Sequence, residues 1–508
     1  MREEIVEVAR QGWPQNLYQF KGIAYRGIEV PPMGKNIAKS RNSISLKTRF
    51  SRKITMNQPI VTANMLDITE SKMLEKAALL GGLGIMHRFC EIDKQIKEIE
   101  KAKRAHNFVI KRPYQIDAWK TVGEARAIMT RHNVGSLLVR DKSCCLSGIL
   151  TVRDIKMEQD SEHVCNRMTP TEKLIVFKHG EDQSIESITR KFKETKIKHY
   201  PIVDDDNKIK GLICVKDVFK LREYPFANID QNGQLVVGAA IGAVGDYLER
   251  AQELIKAGAN VIVIDITSGY STQMEKAIKE FRKKFGEFQL VAGNIGTSEQ
   301  ARGIIEFSEG GIDGLKIGLG PGGVCTTRMN TGIGVIQFYA VLEIYWGLIF
   351  KYGYKPENIP PLCADGNIRC GADVSHALMA GSDSIMGGTI FSATKETPGM
   401  PYPKEDGEYK KMRGMASTEA LAERYEAEGF DDPMGEALKK SPEGMEREVK
   451  IKGSVENIIN KLNGGLRSFI SHRGALSLEE AKHNFNPFCQ EYGFTILKES
   501  GIKESYER

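Results

Sequence analysis

The sequence lacks the features that mark membrane, secreted and disulfide-rich proteins. Its longest apolar stretch, AVLEIYWGLIF (residues 340–350), contains a glutamate and is shorter than the roughly 18 residues that a membrane-spanning helix needs. The N-terminal MREEIVEVARQGWPQ has no apolar segment of the secretory kind. The nine cysteines are scattered, odd in number and include no C-x-x-C pair, so neither a disulfide framework nor a zinc site is expected. These absences favour a cytoplasmic protein with no membrane partner.

An excess of one charge is also missing. The formal net charge of +6 is small for 508 residues, and the lysines are scattered instead of forming the dense basic stripe of a general nucleic-acid binder. We therefore expect no nucleic-acid partner. With 41% hydrophobic and 27% charged residues, the composition is that of a globular protein, and the length predicts two or more domains.

Short apolar runs, each followed by a helical stretch, recur along the chain. Such near-continuous apolar strands are typical of a parallel sheet covered on both faces. Eight of them predict an α/β fold, a (β/α)8 TIM barrel with its chemistry on the loops after the strands; a doubly wound open sheet is the alternative. The runs are PIVTAN (59–64), GLGIMH (82–87), QLVVGA (234–239), NVIVID (260–265), QLVAGN (289–294), GLKIGL (314–319), PPLCAD (360–365) and SDSIMG (382–387).

The second and third runs are much farther apart than the others, and an internal repeat lies between them. NVGSLLVRD (133–141) and GILTVRDI (148–155) are echoed by KHYPIVDDD (198–206) and GLICVKDV (211–218). Two repeats of this size are expected to bury their faces against each other.

The paired repeats resemble two CBS repeats, which together form a Bateman domain that often binds adenine or guanine nucleotides. The resemblance implies that Thr151 and Asp154 of the first copy, with Asp217 of the second, contact such a nucleotide. Cys214 replaces the expected hydroxyl in the second copy, and a folded spacer without a ligand is the alternative. We expect a tandem CBS regulatory domain at 111–222, inserted into a catalytic barrel with a mobile flap at 1–110 and 223–508.

A glycine-rich turn leads into a cysteine, two threonines and an arginine in IGLGPGGVCTTRMNTGIG (317–334). Glycine lets the backbone approach a bulky anion, so the backbone of residues 320–323 is a candidate for holding a phosphate. Cys325 would then lie beside a bound nucleotide as a nucleophile. Taken alone, the stretch fits a glycine-rich turn with a buried cysteine equally well.

The longer segment LKIGLGPGGVCTTR (315–328) closely resembles the signature of the IMP dehydrogenase/GMP reductase family. Further segments are similar to that family in the same order, so the resemblance covers about residues 20–475. They are ITMNQPIVTANM (54–65), VIDITSGYS (263–271), LVAGNIGTSEQA (290–301), PLCADGNIRCGADVSHALMAGSDSIMGGTIFSATKETPG (361–399), EYKKMRGMAS (408–417), KSPEGMEREVKIKGSV (440–455) and NGGLRSFISHRGA (463–475). The resemblance implies a purine nucleotide oxidoreductase that assembles as a homotetramer, or as an octamer through the paired repeats.

Carried over residue by residue, the resemblance also implies functional roles. Cys325 would attack C2 of the purine, Thr327 and Glu443 would relay protons, and Asp365 would accept hydrogen bonds from the ribose hydroxyls. The other implied substrate-binding residues are Gly322, Gly323, Gly366, Gly387, Gly388, Met415 and Ala416. The implied cofactor-binding residues are Asp265 and Asn294, and a monovalent cation such as K+ is implied at Gly320, Gly322 and Cys325.

Two positions depart from the family pattern. Gly323 stands where the family usually has a serine that binds phosphate, and Met412 stands where the dehydrogenases usually have a tyrosine that contacts the phosphate. Both changes remove a hydroxyl, so phosphate binding is expected to be weaker or rearranged.

The choice between the two family reactions turns on water activation, which only the dehydrogenase needs. ALAERYEAEGFDDP supplies Arg424 and Tyr425, which match the pair assigned to that task. The pair lies closer to the GMAS loop than in most dehydrogenases, and a solvated helix face is the alternative. Asn64, the SGYS after Asp265 and Ala416 are more similar to reductases. The resemblance favours NADPH-dependent reductive deamination of GMP to IMP. The alternatives are NAD-dependent oxidation of IMP to XMP through the same cysteine adduct, and a nucleotide sensor with an inactive barrel.

Overall fold

The computed structural model describes residues 15–105, 109–110, 113–132, 134–181, 185–215, 218–219, 223–309, 311–489, 491 and 493–497. The chain divides into two compact units. We call Met1–Lys103, Phe226–Asp230 and Leu235–Arg508 the barrel unit, and Arg104–Pro225 with Gln231–Gln234 the repeat unit. In the described part of the chain, no helix combines the length and the hydropathy that a membrane crossing requires.

The core of the barrel unit is a closed cylinder of eight parallel strands. Each strand pairs with the next in the chain, and the last pairs with the first through Gly387 and Thr62. The strands are β1 (Ile60–Thr62), β2 (Leu83–Met86), β3 (Gly238–Ile241), β4 (Val261–Asp265), β5 (Leu290–Ile295), β6 (Gly314–Ile317), β7 (Leu362–Asp365) and β8 (Ser384–Gly387). The predicted TIM barrel is thereby confirmed, and the open sheet is excluded.

Burial on both faces explains why the strands are apolar runs. Every residue of β2, β3, β6 and β8 is buried. Side chains such as Val61, Val263 and Met386 fill the interior of the cylinder, and the other face of each strand lies under helices. Polar side chains can therefore reach solvent only at the strand ends, where the loops begin.

Helices cover the barrel through one apolar face each. In Thr272–Phe285 the buried residues Met274, Ala277, Ile278 and Phe281 recur at helical spacing, and the Ser271 hydroxyl caps the N-terminus by accepting from Met274 N. The helices of the barrel unit are Gln15–Tyr18, Ser71–Leu79, Ile92–Arg104, Tyr247–Lys256, Thr272–Phe285, Ser298–Phe307, Thr327–Thr331, Gln337–Phe350, Gly371–Ala380, Thr418–Ala427, Pro433–Leu438, Val455–His472 and Leu478–His483, with short 3-10 turns at Tyr25–Gly27, Arg41–Ser43 and Pro356–Asn358.

Small sheets complete the barrel unit. After β8, an antiparallel sheet is formed by Tyr402–Lys404, Gly407–Arg413 and Glu446–Lys450. We call residues 414–445, which connect its last two strands, the flap segment. Two two-stranded sheets pair Ile28–Glu29 with Thr495–Ile496 and Thr48–Arg49 with Thr55–Met56.

The repeat unit contains two sheets of identical topology. In each, one parallel strand pair is followed by two antiparallel pairs. The first sheet has Gln115–Asp117, Ser136–Arg140, Leu146–Thr151 and Thr169–Pro170, and the second has Phe177–Lys178, His199–Val203, Ile209–Cys214 and Val109–Ile110. Its helical segments are Val122–His132, Val152–Ile155, Val164–Asn166, Thr171–Lys173 and Ile185–Thr195. Leu138 and Ile149 of one copy share a buried cluster with Val203 and Leu212 of the other.

Candidate active site

The three loops that follow β6, β7 and β8 lie in contact with one another, and the closest approaches are at glycine residues. A Cβ atom on Gly366, whose φ is +99°, would lie 3.5 Å from the backbone nitrogen of Gly322. A Cβ atom on Gly323 would lie 3.0 Å from the hydroxyl oxygen of Thr389. A Cβ atom on Gly318 would lie 2.4 Å from the carbonyl oxygen of Asp365, closer than any side chain allows. The predicted phosphate-binding glycines of the loops after β6 and β7 are thus brought together, and Thr389 joins them directly after Gly387 and Gly388.

Cys325 lies in the same β6 loop and pairs with the end of the flap segment. It forms an isolated antiparallel bridge with Gly444. On either side of that bridge, Met445 N donates to Val324 O (3.0 Å) and Thr326 N donates to Glu443 O (2.8 Å). This backbone pairing brings Glu443 beside the cysteine although the two are far apart in sequence.

A chain of hydrogen bonds joins three of the predicted catalytic side chains. Cys325 Sγ and Thr327 Oγ1 are 3.2 Å apart, and Thr327 Oγ1 donates to Glu443 Oε2 at 2.7 Å. Thr327 is buried, and the other two are half-buried. We call these residues the Cys–Thr–Glu chain. A carboxyl group both gives and accepts protons, and a hydroxyl passes them on, so the arrangement can move a proton to or from an atom bound at the thiol.

The network around Lys316 was not predicted from the sequence. Lys316 lies on β6 between two strand-terminal carboxylates. Its Nζ is 2.8 Å from Asp265 Oδ1 at the end of β4 and 2.7 Å from Asp365 Oδ2 at the end of β7, and the residue is only 2% exposed. A lysine within an otherwise apolar strand was the available signal, because such a charge is rarely buried without a partner.

Burial and charge act in opposite directions on this cluster. Burial lowers the pKa of Lys316, but the two aspartates outweigh burial and raise the pKa of Lys316 above its ordinary value. Burial raises the pKa of Asp265, but the charge of Lys316 and its hydrogen bond hold the pKa of Asp265 below its ordinary value. At neutral pH the site therefore contains a charged lysine and an ionised Asp265.

Two amide side chains complete the polar lining. Asn64 Nδ2 donates to Asp265 Oδ2 (2.7 Å), whereas Asn294 Nδ2 donates to Asp365 Oδ2 (3.0 Å) and to Gly318 O (2.8 Å). Among the described residues, no group donates to the buried Asn294 Oδ1 or to Asp365 Oδ1. Both oxygens are acceptors available to a ligand.

Two residues predicted to contact the base lie at the start of the flap segment. Leu66 N donates to Met415 Sδ at 3.3 Å, and Glu443 N donates to Ala416 O at 2.9 Å. Ala416 is therefore adjacent to the Cys–Thr–Glu chain, and Met415 lies against the loop that follows β1.

Arg424 and Tyr425 lie on the flap helix Thr418–Ala427 and form contacts with nearby residues of the flap segment. Arg424 Nε donates to Glu428 Oε1 at 2.6 Å. Tyr425 is 5% exposed, with its ring centroid 4.9 Å from that of Phe430. Within the part of the chain that the structure describes, no hydrogen bond joins either residue to the Cys–Thr–Glu chain.

The predicted cation site borders a fixed positive charge. A Cβ atom on Gly320 would lie 2.8 Å from Cγ and 3.2 Å from Nε of Arg328, and the carbonyl of Gly322 already accepts from Cys325 N at 3.1 Å. A guanidinium this close weakens the attraction of the loop for a cation. The cation stays a prediction, and none of the chemistry below uses it.

In the repeat unit, Thr151 and Asp154 contact each other. Asp154 Oδ2 accepts from Thr151 N (2.6 Å) and Thr151 Oγ1 (2.8 Å), which forms a capping box at the start of Val152–Ile155. Asp217 lies outside the described residues. The nucleotide-binding role of these residues stays a prediction.

Similar known proteins cover nearly the whole length of this chain. The family described as "IMP dehydrogenase / GMP reductase domain" matches residues 23–507. An inosine-5'-monophosphate dehydrogenase of Nitrosopumilus maritimus is 36% identical over 96% of this chain and 98% of its own length, and one of Streptococcus pyogenes is 34% identical over 96% and 95%. The crystal structure of a Trypanosoma brucei GMP reductase in complex with guanosine 5'-monophosphate has a TM-score of 0.85 at 34% identity, covering 95% of this chain and 97% of that one. The family model and these relatives cover nearly the full length of the chain. The chain therefore belongs to the IMP dehydrogenase/GMP reductase family.

Proposed function

We propose that this protein catalyses the NADPH-dependent reductive deamination of GMP to IMP. Family membership already makes it an oxidoreductase that acts with a nicotinamide cofactor. The observation that carries the finer proposal is the Cys–Thr–Glu chain, which ends in a carboxyl group and to which, among the described residues, neither Arg424 nor Tyr425 is hydrogen-bonded. The Trypanosoma brucei relative with bound guanosine 5'-monophosphate supports the substrate class.

In the first proposed step, Cys325 Sγ attacks C2 of GMP and the exocyclic amino group leaves. Glu443 supplies a proton through Thr327, and with a further proton from solvent the amine departs as ammonium. A purine bonded at C2 to the cysteine sulfur remains. A reductase can proceed from there without an activated water, because the next bond formed is carbon to hydrogen.

In the second step, a hydride adds to C2 while the carbon–sulfur bond breaks, which releases IMP and restores the thiolate. Bound NADPH supplies that hydride and is oxidised to NADP+. A proton taken up from solvent through the Cys–Thr–Glu chain then restores the resting state, because Glu443 gave up its own proton in the first step. Asp365, whose Oδ2 is occupied by Lys316 and Asn294, offers Oδ1 to a ribose hydroxyl and so positions C2 at the sulfur.

The described residues fit a nicotinamide cofactor. The buried Asn294 Oδ1, which accepts no hydrogen bond within the described residues, suits the amide N–H of a carboxamide. Asp265 lies in the same cluster with its pKa lowered by Lys316 against the effect of burial, so its carboxylate is an acceptor at neutral pH. These two residues would hold the nicotinamide side of the site.

The second candidate is the NAD-dependent oxidation of IMP to XMP. The curated relatives named inosine-5'-monophosphate dehydrogenase favour it. This reaction ends with hydrolysis of the cysteine adduct, so a base must activate water. Arg424 would have to leave Glu428, and Tyr425 would have to leave its buried position, before either could serve as that base.

The proposal extends to assembly and regulation. The repeat unit would bind an adenine or guanine nucleotide at Thr151 and Asp154. The barrels would form a homotetramer, with octamers assembled through the paired repeats. A solved Trypanosoma brucei GMP reductase in complex with guanosine 5'-triphosphate, with a TM-score of 0.75 at 31% identity, supports a test with guanine nucleotides.

One pair of assays distinguishes the two reactions. The protein is incubated with GMP and NADPH, and separately with IMP and NAD+, while the absorbance of the reduced nicotinamide is followed and products are separated. A fall in absorbance with release of ammonium and IMP supports the proposal. Formation of XMP with a rise in absorbance would overturn it. Cys325→Ala is expected to abolish turnover, whereas Cys165→Ala, which changes an exposed cysteine of the repeat unit, is expected to leave it intact.

A further inference from the structure

Glu443 can serve the relay only while its carboxyl group stays within hydrogen-bond distance of Thr327. The bond from Thr327 Oγ1 to Glu443 Oε2 is 2.7 Å long and joins the loop after β6 to the end of the flap segment. A glutamate side chain is flexible and loses rotamer entropy when it is ordered, and a displacement of about 1 Å near the chemistry can cost about a hundredfold in rate. The backbone on both sides of Glu443 must therefore be fixed.

Close packing of two glycines fixes the backbone on the carboxyl side of Glu443. A Cβ atom on Gly444 would lie 2.8 Å from the backbone nitrogen of Ser417. A Cβ atom on Gly414 would lie 2.6 Å from Val324 O and 2.8 Å from the Cα atom of Gly444. These separations leave no room for a side chain at either glycine. The backbone at residue 444 therefore cannot shift without displacing the loop after β6.

Two polar side chains hold the amino side of Glu443 through the carbonyl group of Pro442. Asn330 Nδ2 donates to Pro442 O, and Thr326 Oγ1 donates to the same oxygen at 3.4 Å. Asn330 Nδ2 also donates to Thr326 Oγ1 at 3.2 Å, so one amide group serves two acceptors. Thr326 N donates to Glu443 O at 2.8 Å. The peptide groups before and after Glu443 are thereby tied to the residue that follows the cysteine.

The short helix after Cys325 places Asn330 for this contact. Asn330 lies in Thr327–Thr331, one helical turn after Thr326, and its backbone nitrogen donates to Thr326 O at 3.0 Å. Residues four apart lie on the same side of a helix, so the amide and the hydroxyl reach the same carbonyl oxygen. The preceding residue, Met329, is 72% exposed. The contact with the flap segment therefore depends on position 330 and not on the helix as a whole.

We propose that Asn330 is a positioning residue for the relay: its side-chain amide ties Pro442 to Thr326 and so holds the carboxyl group of Glu443 at Thr327. The ring of Pro442 fixes its own φ, so holding its carbonyl group also sets the direction in which the chain enters Glu443. Among the described residues, every hydrogen bond that Asn330 donates goes to Thr326 or Pro442, so its effect on the reaction passes through Glu443. The inference rests on the proposed function for the reaction in which the relay acts.

The decisive variant is Asn330→Leu, which keeps the branched outline of the side chain and removes its donors. Leucine has the higher helix propensity, so a loss of activity cannot come from a weaker helix. A neutral hydrogen bond corresponds to roughly a two- to twelvefold change in an equilibrium constant. Because Asn330 donates two, we expect kcat with GMP and NADPH to fall about tenfold while KM for GMP is nearly unchanged. Asn330→Asp, which presents a carboxylate to the Pro442 carbonyl, should lose at least as much. The matched control is Met329→Leu on the same helix, which is expected to leave kcat unchanged.

A double-mutant cycle separates positioning from a merely structural role. If Asn330 acts through Glu443, Asn330→Leu should reduce the residual turnover of Glu443→Gln no further, whereas a structural role would give the same loss in both backgrounds. Unchanged kcat in Asn330→Leu or Asn330→Asp, or equal losses with and without the Glu443 carboxyl group, would overturn the inference and leave the proposed function standing. A wild-type protein that oxidises IMP with NAD+ and leaves GMP unchanged would overturn the proposed function, and the same cycle measured with IMP and NAD+ would then decide the role of Asn330.

Discussion

Replacing Lys316 with methionine would leave two carboxylates without their shared counter-charge. Methionine matches the length of the lysine side chain and removes only the ammonium, which is 2.8 Å from Asp265 Oδ1 and 2.7 Å from Asp365 Oδ2. Lys316 is 2% exposed, so solvent cannot enter easily to replace the lost charge. The two aspartates retain only their amide partners, Asn64 and Asn294.

The burial of these charges sets the expected loss of stability in Lys316→Met. Removing one partner of a buried ion pair costs about 3–5 kcal/mol, because the remaining charge stays buried and unpaired. Here one cation serves two carboxylates, which increases the cost. Their side chains are 24% and 19% exposed, and this residual exposure moderates it. We expect the free energy of unfolding of the barrel unit to fall by about 3–5 kcal/mol at neutral pH.

The destabilisation caused by Lys316→Met should become smaller as the pH falls. In the wild type the pKa of Asp265 is below its ordinary value of 3.8, since Lys316 outweighs burial. Its contribution to stability is therefore present above that ordinary pKa and is lost as the pH falls through the lower folded pKa. Without the ammonium, burial would raise the pKa of Asp265, so the variant is penalised most at neutral pH. The difference between wild type and variant should narrow as the pH falls from 7 towards about 4.

Urea unfolding followed by tryptophan fluorescence measures this difference. In a background with both Trp13→Phe and Trp119→Phe, Trp346 is the one tryptophan left of the chain's three, and it belongs to the barrel unit. Lys53→Met is the matched control, because Lys53 forms an exposed pair with Glu287, and we expect it to change the unfolding midpoint little. Equal effects of Lys316→Met and Lys53→Met would refute the reasoning. So would a loss that does not shrink on acidification.

Three further predictions concern the relay, the flap and a buried histidine. Glu443→Gln keeps an acceptor for Thr327 but cannot transfer a proton, so kcat with GMP and NADPH should fall by about 10²–10⁴ with KM nearly unchanged in steady-state kinetics. Arg424→Met and Tyr425→Phe should each lower that kcat by less than about tenfold; larger losses would support the dehydrogenase alternative. Burial lowers the pKa of His376 to about 4 from 6.5. The free energy of unfolding should therefore fall by up to about 3 kcal/mol as the pH is lowered from 6.5 to 4. His376→Gln should remove that slope from unfolding midpoints measured across this pH range.

The strands of the barrel could be predicted from the sequence because burial on both faces leaves an unmistakable pattern. The run GLKIGL contains β6 at Gly314–Ile317, and PPLCAD contains β7 at Leu362–Asp365. Helices between such runs then require a parallel sheet. The closure of the sheet into a barrel, which pairs Gly387 with Thr62, could be predicted only from the number of runs and not from any local feature.

The candidate site was predictable only in part. Cys325 and Thr327 are two residues apart in sequence, so their proximity is local. Glu443 reaches them through the antiparallel bridge between Cys325 and Gly444, which no spacing in the sequence indicates. Its place in the site was implied by the family resemblance alone. Lys316 was overlooked because the apolar run around it favours a strand without indicating what its charge would contact.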